Sequence, residues 1–246
     1  MSTQPTRRHL AATFWSAAAL SAALPFVPYG RRLLYPFAWI TTWAHEMGHG
    51  LTALLMGGRF HSLELYADLG GQALTAVPDN GLAPAAVAAG GLLGPAVAGG
   101  LVIWLGARAA SARWVLGLLA TLLVASALLW VRSGLGFFVT LAFGLVFGAL
   151  AVVLGGKAGE LTRLVITQLV GIQLCLGSLA SLDYMFTKEF PRGGLMIPSD
   201  TELIARQLWL PYWFWGALIA LVSFAILLFA FHRAWLRGAK APARSA

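Results

Sequence analysis

Charge is what this chain has least of. Asp, Glu, Lys and Arg make up 11% of its 246 residues, less than half of the roughly 25% usual in soluble domains. Nine are acidic and 17 basic, with five histidines and one cysteine besides. The lone Cys175 excludes an internal disulfide. No polar stretch is long enough to form a separate soluble domain. No block of basic residues forms a nucleic-acid surface; Lys and Arg are scattered through short connections, as topogenic and headgroup-facing charges are.

What the chain has in quantity is apolar surface. Hydrophobic residues make up 59% and the mean hydropathy is +0.77. The fold class this implies is an all-α polytopic membrane protein, one transmembrane domain over 1–246, with a polar tail at 1–9 and a basic tail at 233–246. About seven membrane helices are expected, at 10–28, 33–57, 84–106, 114–131, 135–154, 164–186 and 211–231. The first is read as a retained helix, not a cleaved signal. Between the second and third, 59–81 alternates polar and apolar residues around Gly70 and Gly71, which predicts a β-hairpin at the membrane surface. His61 and Glu64 fall on its solvated face. Gly90 and Gly94 mark a helix-packing face, and the fourth and fifth helices read as scaffold.

Chemistry concentrates in 39–58, where His45, Glu46 and His49 form H-E-x-x-H inside an apolar helix. Ionisable side chains at membrane depth are expensive and point to function. On a helix, residues four apart share a face, so His45 and His49 can present two imidazole nitrogens to one ion. Glu46 can approach a water on that ion. Zinc brings such a water's pKa to about 7, and a carboxylate can then take the proton. A third protein ligand must come from elsewhere. Besides Glu46, the one acidic residue inside an expected membrane segment is Asp183, in Ser-Leu-Asp-Tyr at the end of the sixth helix. Asp183 is the expected third ligand. Asp200 is the second candidate; it sits in Ser199-Asp200-Thr201-Glu202, a capping-box pattern that opens a short amphipathic helix.

HEMGH in an early membrane helix, a hairpin after it, a Gly-Pro helix next and a late intramembrane Asp together resemble the site-2 protease family of intramembrane zinc metallopeptidases. The stretch from HEMGH to RFHSLEL looks most like the small bacterial branch, and PSDTELIA resembles that branch's second motif. The likeness runs from about Leu33 to the last helix. It implies one zinc ion per chain, His45 and His49 as ligands, Glu46 as catalytic base, and Asp183 at the position of the family's third ligand. Two residues depart from the better-known pattern: Tyr184 stands where L-D-G has Gly, and Ala98 where G-P-x-x-N has Asn. The implied activity is zinc-dependent endoproteolysis of membrane-spanning substrates, in the lipid bilayer of a bacterial cytoplasmic (inner) membrane. Two readings compete with it: a metal-binding membrane protein without protease activity, and a transporter.

Overall fold

The computed structural model describes residues 7–78, 82–192 and 194–236. Most of the expected tails, at 1–6 and 237–246, lie outside the described residues. Nine α-helices and two hairpins follow one another among those described: α1 (Arg7–Ala23), α2 (Gly30–Leu55), β1 (Arg59–Leu65), β2 (Gly71–Ala76), α3 (Leu82–Leu105), α4 (Ala109–Leu129), α5 (Gly134–Val153), α6 (Gly156–Ala180), α7 (Leu182–Met185), β3 (Glu189–Arg192), β4 (Leu195–Pro198), α8 (Asp200–Leu208) and α9 (Tyr212–Phe231). The chain is an all-α polytopic membrane protein with two small two-stranded sheets.

Among the described residues, five helices are long and apolar enough to cross a membrane: α3, α4, α5, α6, and α9 with its continuation to Trp235. The other two of the seven expected are present but weaker as spans. The 26-residue α2 carries the polar motif, and α1 contributes a shorter apolar stretch, Phe14–Phe26. The sixth helix begins eight residues earlier than its apolar run, at Gly156. Its first turns, Lys157 to Arg163, are polar, and backbone hydrogen bonding does not depend on hydropathy. It also ends sooner than expected. The chain breaks at Ser181 and restarts as the four-residue α7.

The helix α3 is central, in contact with α2, α6, α8 and α9. Its small residues allow a close crossing with α2. A Cβ on Gly48 would lie 2.2 Å from the Gly90 carbonyl oxygen, so the two backbones touch where a side chain would hold them apart. Trp39, Ile40, Trp43 and Met47 of α2 share a buried core with α4 and β1. Trp43 Nε1 donates to Ser126 Oγ on α4 at 2.9 Å, which satisfies the one polar atom that ring buries.

The expected hairpin forms, but β1 is packed inside the fold, with Leu63 and Leu65 buried. Strands β1 and β2 pair antiparallel, with Leu63 opposite Ala73 and Leu65 opposite Gly71. The far edge of β1 is also satisfied. Leu63 N–H donates to Trp130 O, Arg132 N–H donates to Leu63 O, both at 2.9 Å, and Leu65 bonds through its backbone to Ser133 Oγ. The α4–α5 pair is therefore more than scaffold, because its connection seats the hairpin. The second hairpin, β3–β4, replaces part of an expected loop. Pro191 and Pro198 cannot donate to a ladder, which hid it.

If the α2–α3 crossing is as tight as the glycines indicate, Gly48→Ala must push backbone away. We expect an overpacking cost of about 1–3 kcal/mol, whereas Gly117→Ala, whose Cβ meets nothing within 4 Å, should leave stability unchanged or slightly raised. The measurement is thermal unfolding in detergent, followed by a thiol-reactive dye on the single buried Cys175.

Candidate metal centre

Two elements distant in sequence build the site. Helix α2 presents His45 and His49 on one face, and the first turn of α8 presents Asp200. Their ligand atoms form a near-equilateral triangle. His45 Nε2 and His49 Nε2 are 3.0 Å apart, and Asp200 Oδ2 lies 3.2 Å from the first and 3.4 Å from the second. A tetrahedral zinc ion with bonds of about 2.0–2.2 Å spaces its ligands roughly 3.3–3.5 Å apart. The triangle is close to that size and leaves the fourth corner open. These three residues form one potential metal-binding group, all ligand atoms lying within 4.8 Å of one another.

The chemistry of the donors agrees with the geometry. His49 Nδ1 lies 2.9 Å from the Val87 carbonyl, which can only accept, so Nδ1 carries the proton and Nε2 offers its lone pair. Asp200 Oδ2 is buried and makes no hydrogen bond; the two imidazole nitrogens are what face it. Burial alone would favour the neutral acid, but the two histidines in their protonated form, chiefly His49, outweigh it and hold the Asp200 carboxyl well below the usual carboxylate range; an ion bound between them would take over that positive charge. An acceptor with no donor, facing two imidazoles, fits a cation.

Ser199 explains how Asp200 is free for this. Ser199 Oγ accepts the Glu202 N–H at 3.3 Å, capping α8 as the sequence pattern predicts. The Glu202 carboxylate pairs with Arg206, one turn on, at 3.0 Å. The cap thus uses Ser199 and leaves the Asp200 side chain uncommitted. Asp183, the expected third ligand, is exposed in the first turn of α7 and is not part of the group. The break after Ala180 turns its side chain away, and the structure groups Asp200 with the histidines instead. His61 is exposed, and Glu64 bonds to the Tyr66 hydroxyl; neither joins the site.

Glu46 is buried on α2 next to the triad. Its carboxylate packs against the backbone of Gly71, where a Cβ would lie 2.5 Å from Glu46 Oε1. The hairpin therefore touches the glutamate directly at a position without a side chain. Tyr184, noted in the sequence only for standing where L-D-G has Gly, also enters the site. Its hydroxyl accepts the Asp200 N–H at 3.2 Å. Burial and the Asp200 carboxylate push its phenol pKa upward, so it keeps its proton. A cavity of about 730 Å³ collects all these groups, walled by β2, α3 and β3–β4.

Geometry and fold together define a class: a multi-pass membrane protein with a His-His-Asp group that could bind a metal and a carboxylate beside it. The Peptidase M50B-like family model matches residues 16–230. The chain belongs to that family, the site-2 protease family of intramembrane metallopeptidases. No curated protein and no solved structure matches it.

Elemental analysis of the detergent-purified chain tests the ligand set. We expect one zinc per chain in the wild type, lost in His49→Ala and Asp200→Asn and retained in Asp183→Asn. Loss in Asp183→Asn with retention in Asp200→Asn would return the third ligand to α7.

Proposed function

We propose that this protein is an intramembrane zinc endopeptidase that hydrolyses peptide bonds of membrane-spanning substrates, in a bacterial cytoplasmic membrane. The observation that carries this reading is the shared cavity: His45, His49, Asp200, Glu46 and strand β2 all line it. Metal binding alone would need neither the glutamate nor the strand.

His45, His49 and Asp200 would hold the zinc, and a zinc ion there would supply Lewis acidity to the scissile carbonyl and lower the pKa of a water toward neutrality. Glu46 takes the water's proton and delivers it to the leaving nitrogen. Contact with Gly71 fixes where the Glu46 carboxylate can sit.

A peptide bond inside a helix is shielded, so the substrate must be held unwound. Strand β2 is suited to this. In an antiparallel ladder, facing residues turn their backbone groups either both toward each other or both away. Leu63 sends its N–H and C=O to Trp130 and Arg132, so its partner Ala73 directs its own to the opposite, open edge. Thr75, two residues on, faces the same way. Ala73 and Thr75 both line the cavity. A substrate segment adding to that edge would lie in extended form beside the Glu46 carboxylate.

Glu46→Gln should keep its zinc and lower cleavage of single-span test substrates by about 10²–10⁴-fold. Gly71→Ala should also keep its zinc, with a loss of about 10²-fold through displacement of the carboxylate. Zinc binding with cleavage indifferent to Glu46→Gln would instead favour a metal-binding protein without protease activity.

Strand addition has its own test. Ala73→Pro removes an open-edge N–H without touching the β1 ladder, and should slow cleavage while metal content stays at one per chain. Proline at Leu63 would break the bond to Trp130 and unseat the hairpin, so it cannot serve. Cleavage by Ala73→Pro at the wild-type rate would remove strand addition from the mechanism.

A further inference from the structure

Once Asp200 joins the histidines, the Ser-Leu-Asp-Tyr stretch that resembles a ligand motif is left without a ligand. It is nevertheless tied closely to α8. Ser199 Oγ donates to Thr187 O at 2.6 Å, Ser199 N–H to Lys188 O at 2.9 Å, Thr201 Oγ1 to Met185 O at 3.0 Å, and Asp200 N–H to the Tyr184 hydroxyl at 3.2 Å. Three of these bonds end on backbone carbonyls of Met185, Thr187 and Lys188, just after that stretch. Only the fourth uses one of its side chains, and it falls on the residue that carries the ligand carboxylate.

We propose that Tyr184 is a positioning residue for the metal centre, its hydroxyl setting the approach of Asp200 to the two imidazoles. Asp200 is the first residue of α8, where backbone N–H groups have no partner within the helix. Its side chain is short, so a small shift of its backbone moves Oδ2 out of the 3.2–3.4 Å contacts with the histidines. Accepting that N–H pins the backbone. The hydroxyl is itself held, because the Tyr184 ring packs edge-on to His45 at 6.4 Å and to Phe190 at 5.4 Å between centroids. One side chain thereby spans from a ligand on α2 to a ligand on α8. The Gly of L-D-G could not make this bond. Groups that orient a ligand from behind typically account for 10–100-fold in metal affinity.

This inference rests on the triad holding a divalent metal. The experiment is competition of the full detergent-purified chain against a chromogenic chelator, with zinc and then cobalt. The proteins are wild type, Tyr184→Phe, and Thr201→Val, which removes a neighbouring tether but leaves the Asp200 N–H bonded. We expect Tyr184→Phe to bind zinc 10–100-fold more weakly and to change the cobalt d–d absorption, with Thr201→Val within about threefold of wild type. Tyr184→Phe with wild-type affinity and an unchanged cobalt spectrum overturns the positioning role. Equal losses in both variants overturn it too, since general loosening of α8 would then be the cause. So does a Tyr184→Phe protein whose Cys175 reacts with thiol reagent before heating, which would make Tyr184 a folding residue. Wild type that binds neither metal overturns the proposed function and this inference together, whereas the preceding outcomes overturn this one alone.

Discussion

A buried carboxylate facing two imidazoles, in a chain with few charges, is the arrangement on which the rest of the structure depends. An ionised group inside an apolar bundle is strongly unfavourable unless a partner of opposite sign compensates it. The surroundings of Asp200 follow from that. Ser199 takes over the capping of α8, the stretch from Tyr184 to Lys188 anchors the start of the helix, and the Val87 carbonyl fixes the His49 tautomer. The close α2–α3 crossing brings Val87 and His49 together. Each contact is modest, but together they define one arrangement of three ligand atoms and leave one side open.

The open side is where the sheets matter. An unpaired strand edge is ordinarily a liability. Here the α4–α5 connection bonds the outer edge of β1 at Leu63 and Leu65, and β2 lines the cavity. On the opposite wall, the prolines of β3–β4 leave a surface that offers side chains more readily than backbone donors. Arg206 ties that wall to α8 through Glu202 and Glu189. The same helix that carries Asp200 therefore also holds one wall of the cavity.

Much of this was legible in one dimension because it depends on local regularities. Apolar runs marked the helices, alternation around Gly70 and Gly71 marked the hairpin, and Ser199 followed three residues later by Glu202 marked the start of α8. Two histidines one helical turn apart share a face whatever surrounds the helix. The boundaries of α6 were less legible, since its first turns are polar and hydropathy reports the bilayer, not hydrogen bonding. The β3–β4 hairpin was hidden by its own prolines.

The sequence by itself determined the class of fold, the helix that carries the motif, and the placing of His45 and His49 on one helix face, all of which rest on regularities within a single element. Only the tertiary structure shows which carboxylate lies beside the two histidines. Asp183 and Asp200 are both plausible by residue type, and choosing between them depends on where a chain break after Ala180 points two successive side chains: Asp183 outward and Tyr184 toward the metal centre. No local pattern encodes that direction. It is set by packing between segments about 150 residues apart, which brings the first turn of α8 against one face of α2.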